Sequence, residues 1–173
     1  MIKAFKILLI TGVCMFMFAC QPEQGAEHDF SKCRYEAPEA IFSNSMPEIS
    51  NHNFEIRNGI GVEKVTIKNR LQLTLIQEGC DYITQEFEFK WLGNHMNEPD
   101  YFWIQQSVDK FYQLGHLGAA YLTYRALAKA IESTSGQIQL NSPIELQPGV
   151  YLSIEPNPTP DEAILLITLS EQG

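Results

Sequence analysis

Positive charge is scarce in this chain of 173 residues: 12 Lys and Arg stand against 21 Asp and Glu, a formal charge of −9. A nucleic-acid partner needs a basic face to neutralise phosphates, so that class is set aside, and with it electrostatic adhesion to anionic lipid. Cysteine is nearly as scarce, four in all, with no C-x-x-C spacing, which argues against thioredoxin-like exchange. No apolar run is long enough to cross a bilayer as a helix; the longest, near the N-terminus, is about 12 residues where about 20 are needed. There is no G-x-S-x-G elbow, H-E-x-x-H, P-loop or G-x-G-x-x-G. The one glycine-rich piece, Gly59-Ile60-Gly61, falls in a predicted hairpin and lacks the strand-to-helix setting of a phosphate cradle. Nothing here calls for a cofactor.

What the chain does contain begins with an address. Lys3 and Lys6 precede an apolar stretch from Ile7 to Phe18, which closes at Ala19-Cys20 and gives way at once to Gln21-Pro22-Glu23-Gln24-Gly25. A basic start, a short apolar core and a small residue at the break form a signal peptide over residues 1–19. Ala19-Cys20 at that break resembles the lipobox of bacterial lipoproteins. The resemblance implies that Cys20 receives diacylglycerol and becomes the new N-terminus, while Cys14 leaves with the signal. Gln21, rather than Asp, follows Cys20, which in Gram-negative lipoproteins implies sorting to the outer membrane, with the domain facing the periplasm. Three acyl chains hold a protein far more firmly than one. Loss of residues 1–19 removes Lys3 and Lys6 and no acid, so 154 residues remain with 10 basic and 21 acidic side chains, a charge of −11.

Two further cysteines, Cys33 and Cys80, make an even pair in an exported chain, which predicts a disulfide. Residues 20–31 are polar and aperiodic and read as a flexible tether. Residues 32–173 are long enough for a single domain with one core. Within it, residues 34–52, with Pro38 and Pro47, read as an irregular arm. From residue 53 the pattern is that of strands. Asn58-Gly59 between FEIR and IGVEKVTI is a strong two-residue hairpin signal. Leu71, Leu73 and Leu75 share one face of the next strand, and Phe87, Phe89 and Trp91 alternate with Glu86, Glu88 and Lys90 in the one after. These segments predict a four-stranded meander over residues 53–92, with Cys80 in its third turn.

Pro99 and Asp100 then open a helix in which Tyr101, Ile104, Val108 and Phe111 recur at helical spacing. Gly115 and Gly118 break it around His116. A second helix over residues 119–133, polar only at Arg125, Lys129 and Glu132, is predicted to be largely buried, with Leu122, Ala126 and Leu127 near the core. Three strands follow, QIQL, VYLSIE and AILLITL, the last apolar on both faces and so central in the sheet; PNPTPDE between the last two reads as a loop. The fold class expected is α+β: an antiparallel sheet, a four-stranded meander, then two helices, then about three strands, with the helices on one face.

Residues that could carry chemistry are few. His28 in the tether and His52 in the arm read as solvated. His95, with Met96 and Glu98, makes a poorly matched ligand set of soft and hard donors, and fits better in the loop leading into the helix; no metal site is assigned. His116 between two glycines reads as a cap on the helix end. Glu86 and Glu88, on one wet strand face, are too alike in setting for glycosidase work and are read as solubility and edge protection. Of Tyr101-Phe102-Trp103, one ring must face outward. Two functions remain. The first is a non-enzymatic binding module on the cell envelope that engages a protein or cell-wall component, similar in size and location to small lipoproteins that inhibit lysozymes or confer toxin immunity. The second is a small-ligand-binding or hydrolytic domain with a pocket between helices and sheet, near His95, Trp103 and His116.

Overall fold

The computed structural model describes residues 29–171. The predicted signal segment over residues 1–19, Cys20, His28 and most of the predicted tether lie outside the described residues. In chain order the described elements are β1 (Ile49–Arg57), β2 (Ile60–Ile67), β3 (Leu71–Gly79), β4 (Ile83–Leu92), α1 (Asp100–Gly115), α2 (Leu122–Thr134), β5 (Ile144–Gln147), β6 (Val150–Pro158) and β7 (Glu162–Glu171). All strands join one antiparallel sheet in the order β1-β2-β3-β4-β7-β6-β5, so the α+β class and the antiparallel sheet stand.

Alternation decides which way each strand turns. Val65, Leu73, Phe89 and Leu165 lie in register across β2, β3, β4 and β7, and so do Glu63, Leu75, Phe87, Ile167 and Ile154. Every one of these is buried. Their sheet face carries α1 and α2, which close over it with Phe111, Leu114, Tyr124, Ala128 and Ile131. Phe111 sits at the centre, edge-on to Phe87 at 5.1 Å and to Phe89 at 5.9 Å. Asn58 (φ 52°) and Gly59 (φ 83°) form the expected two-residue turn, both with positive φ.

The arm completes the helix layer. Cys33 and Cys80 form the predicted disulfide, with Cα atoms 4.4 Å apart, and the Arg34 and Tyr35 amides both donate to the Cys80 carbonyl. Pro38 then crosses β2 where a glycine, Gly61, lets the backbones approach; a Cβ at 61 would stand 2.5 Å from the Pro38 Cβ. Further on, the Glu63 carboxylate, fully buried, accepts from the Ile41 amide (2.8 Å), the Phe42 amide (2.9 Å) and His52 Nε2 (2.6 Å). Three donors compensate a charge that burial would otherwise make very costly. Phe42 stacks on Tyr121 at 5.6 Å, and Tyr121 Oη donates to the Ile41 carbonyl.

Several expectations are corrected. His52 is not solvated: its side chain is largely buried against Glu63. The tether does not run freely to residue 31, because Phe30–Lys32 forms a 3-10 turn capped by Asp29. The first strand starts at Ile49 rather than 53, the register slipping between Ser50 and Asn53 where Asn51 takes a left-handed φ of 53°. QIQL is not a strand; the short edge strand is Ile144–Gln147. The prolines of PNPTPDE do not end β6, since Pro156 and Pro158 lie opposite Leu165 and Ala163. The β5 pairing stops at Leu152, so this stretch of β6 is a free edge where a missing N–H breaks no ladder bond. The second helix is amphipathic, not buried all round. Tyr124, Ala128 and Ile131 face the core, Leu127 is half-buried, and Leu122 (52% exposed) and Ala126 face solvent.

Candidate functional site

Of the residues that sequence grouped together, the structure keeps His95 and Trp103 close and sets His116 apart at the far end of α1. His95 precedes α1 and His116 follows it, and the 16 residues of that helix span roughly 24 Å. His116 is exposed, and its Nδ1–H donates to the Tyr112 carbonyl at 2.6 Å while its amide donates to the same carbonyl and to that of Gln113. That makes it a helix cap. Trp103 is buried within the start of α1, 6.3 Å from the His95 ring. The space between helices and sheet is filled by side chains such as Phe87, Phe89 and Phe111.

His95 belongs instead to an aromatic box at the pole where β4 hands over to α1. The Trp91 Nε1–H donates to His95 Nε2 at 3.3 Å, so the imidazole proton of the neutral ring sits on Nδ1. Nδ1 is the one buried side-chain polar atom without a hydrogen-bond partner among the described residues; Glu98 Oε1, at 3.6 Å, is an electrostatic neighbour only. Phe102 stacks on the His95 ring at 5.3 Å and meets Trp103 edge-on at 5.2 Å. Gly93 (φ 134°) admits this arrangement, because a Cβ there would stand 2.8 Å from His95 Nε2. Lys110, 8% exposed, reaches down from α1 and holds its ammonium 4.2 Å from the Trp91 ring centre. Burial pushes the Lys110 pKa below its ordinary value, with Asp109 acting against the shift. Met96 and Tyr101 are exposed around the box, Tyr101 by 74%, which identifies it as the outward ring of its triplet.

Beside the box lies a groove of about 500 Å³ lined by Asn69, Arg70, Gln72, Lys90, Trp91 and Leu92. It exists because β4 runs on through Trp91 and Leu92 after its last pairing with β3, Gln72 with Lys90, leaving a notch beside the turn from β2 to β3. Two other open grooves lie near the opposite pole. One, of about 380 Å³, runs between the arm and the β3–β4 end and includes Glu36, Glu39 and Glu78; the other, of about 330 Å³, includes Glu78 and Asp81.

The second feature is the sheet face that the helices leave open. Glu55, Val62, Ile76, Glu86, Thr168 and Ser153 form one row across it, and Asn53, Lys64, Thr74, Glu88, Leu166 and Glu155 the next. None of these twelve is buried. β4 is interior, between β3 and β7, so Glu86 and Glu88 protect no edge; that reading is corrected. Lys90 pairs with Glu162 (2.7 Å) and Arg57 with Glu55 (2.8 Å), whereas Glu78, Glu86, Glu88 and Glu155 have no ion pair among the described residues. Partial burial first, then Glu88, Glu78 and Glu155, hold the Glu86 carboxyl above its ordinary value. The arm's Glu63–His52 pair and the wall made by Trp91 and Lys110 carried no motif; sequence reasoning missed both. No family model matches the chain, and neither does any curated protein or solved structure.

Proposed function

We propose that this protein is a non-enzymatic binding module, held at the outer membrane through lipidated Cys20, that receives a cationic protein on its open sheet face in an inhibitor-like or immunity-like role. The observation that carries the reading is the cluster of carboxylates Glu78, Glu86, Glu88 and Glu155 on a rigid, uncovered sheet face, interleaved with Val62, Ile76 and Leu166. Partial burial, and then the neighbouring Glu88, Glu78 and Glu155, hold the Glu86 carboxyl above its ordinary value, and a partner that brings cations relieves the repulsion. Size agrees. Six strands of eight to ten residues and a short edge strand of four give a face of roughly 30 by 30 Å, about 900 Å², against about 800 Å² per partner in a standard interface.

Orientation supports it too. The described chain enters the domain beside Cys33 and Cys80, at one pole, so a tether from the membrane leaves the face free. The test is co-purification from native envelopes with three lipidated forms: wild type, Glu86→Lys/Glu88→Lys, and a control reversed at Glu36 and Asp81. The reading predicts a partner with a basic surface, held by wild type and control, released by salt, and lost from the face variant. Equal retention by all three forms, or no captured partner, contradicts it.

A further inference from the structure

We infer that the notch lined by Arg70, Trp91 and Leu92 is a binding site for a small amphipathic anion, an aliphatic chain ending in a carboxylate. On a chain with 21 acidic residues, this groove has no carboxylate among its lining side chains, while the two other grooves described each carry at least two. Its polar groups are two cations and two carboxamides. Lys90 is neutralised by Glu162, but Arg70 makes no ion pair among the described residues, so its guanidinium is available to a carboxylate. The apolar part of the lining is prepared as well. Trp91 spends its N–H on His95 and holds Lys110 over its ring, which fixes the indole and leaves no indole polar group unsatisfied. Leu92, 84% exposed at the end of β4, supplies a second apolar wall that folding alone does not bury. At about 500 Å³ the notch is in the size range of small-molecule sites. A cationic ligand would meet Arg70 and Lys90 with nothing to pair with; a fully apolar one would leave Arg70 unused. His95 and Lys110 act here as positioning residues for Trp91.

The probe is sodium decanoate, titrated below micelle formation against the purified domain with tryptophan fluorescence as the readout. Trp103 is buried, so Trp91 reports; Trp91→Phe should abolish the response. Decylammonium, with the same chain and opposite charge, and acetate, with the charge and no chain, should each fail to bind. Arg70→Glu should weaken decanoate binding about tenfold or more, and Leu92→Ser should weaken it with the charge preference intact. Arg125→Glu, on the exposed side of α2, should bind like wild type. Decyl phosphate separates carboxylate from phosphate selection; tighter binding of the phosphate would overturn the carboxylate assignment. Equal binding of decanoate and decylammonium, wild-type affinity in Arg70→Glu, or no response at all would overturn the site.

Discussion

A single carboxylate, Glu63, fastens the arm to the sheet. Its three donors come from residues 41, 42 and 52, so removing the charge leaves two backbone amides and an imidazole without their acceptor. Glu63→Leu should cost about 3 kcal/mol or more by urea denaturation, and amides 38–48 should lose hydrogen-exchange protection before the rest of the domain. A second residue-scale test concerns Glu86. Its folded pKa is raised, so between the ordinary and raised values the native state binds more protons than the unfolded chain, and stability falls as pH rises through that window. Glu86→Gln should therefore be more stable than wild type near neutral pH and match it below the ordinary carboxylate range. Thermal melts across that interval would show it; a gain independent of pH would contradict it.

At the scale of elements, legibility followed the clarity of the pattern. The Phe87–Phe89–Trp91 alternation and the Asn58-Gly59 turn were readable because period two and positive φ leave few alternatives. The disulfide was readable because two cysteines remain once Cys14 and Cys20 are set aside. The phase of α2 was not. Leucine and alanine occur around its whole circumference, and only tertiary packing, in which Tyr124 meets Phe87 and Phe111, selects Tyr124, Ala128 and Ile131 as the buried set. The consequence is graded: Ile131→Ala should cost about 2–5 kcal/mol, Leu127→Ala less, and Leu122→Ala within about 0.5 kcal/mol of zero. β5 was misplaced because Pro143 and Pro148 flank a strand of four residues that carries little apolar signal. The pairing of His52 with Glu63 arises at a bulge between paired strands, a relation no local spacing encodes. Of the site residues, His95 and Trp103 were legible as an aromatic-rich start to α1; their bond and ring contacts to Trp91 depend on where β4 ends.

For the whole molecule, the disulfide closes a loop over a sequence separation of 47, worth about 4 kcal/mol in the chain-entropy description. Cys33→Ala/Cys80→Ala should lower stability by up to that amount and free the start of the arm, with the sheet order unchanged. The molecule has two poles and two faces, each with its own chemistry: the disulfide pole where the described chain enters, the distal pole with its cationic notch, the helix face that is full, and the sheet face that is open. The central claim rests on that open face being covered in the envelope. Carboxyl footprinting of the full-length protein in native envelopes, compared with the purified domain, tests it most directly. The account predicts that labelling of Glu86, Glu88 and Glu155 drops in the envelope while Glu36 and Asp81 label equally in both. Undiminished labelling of the three face carboxylates would contradict it.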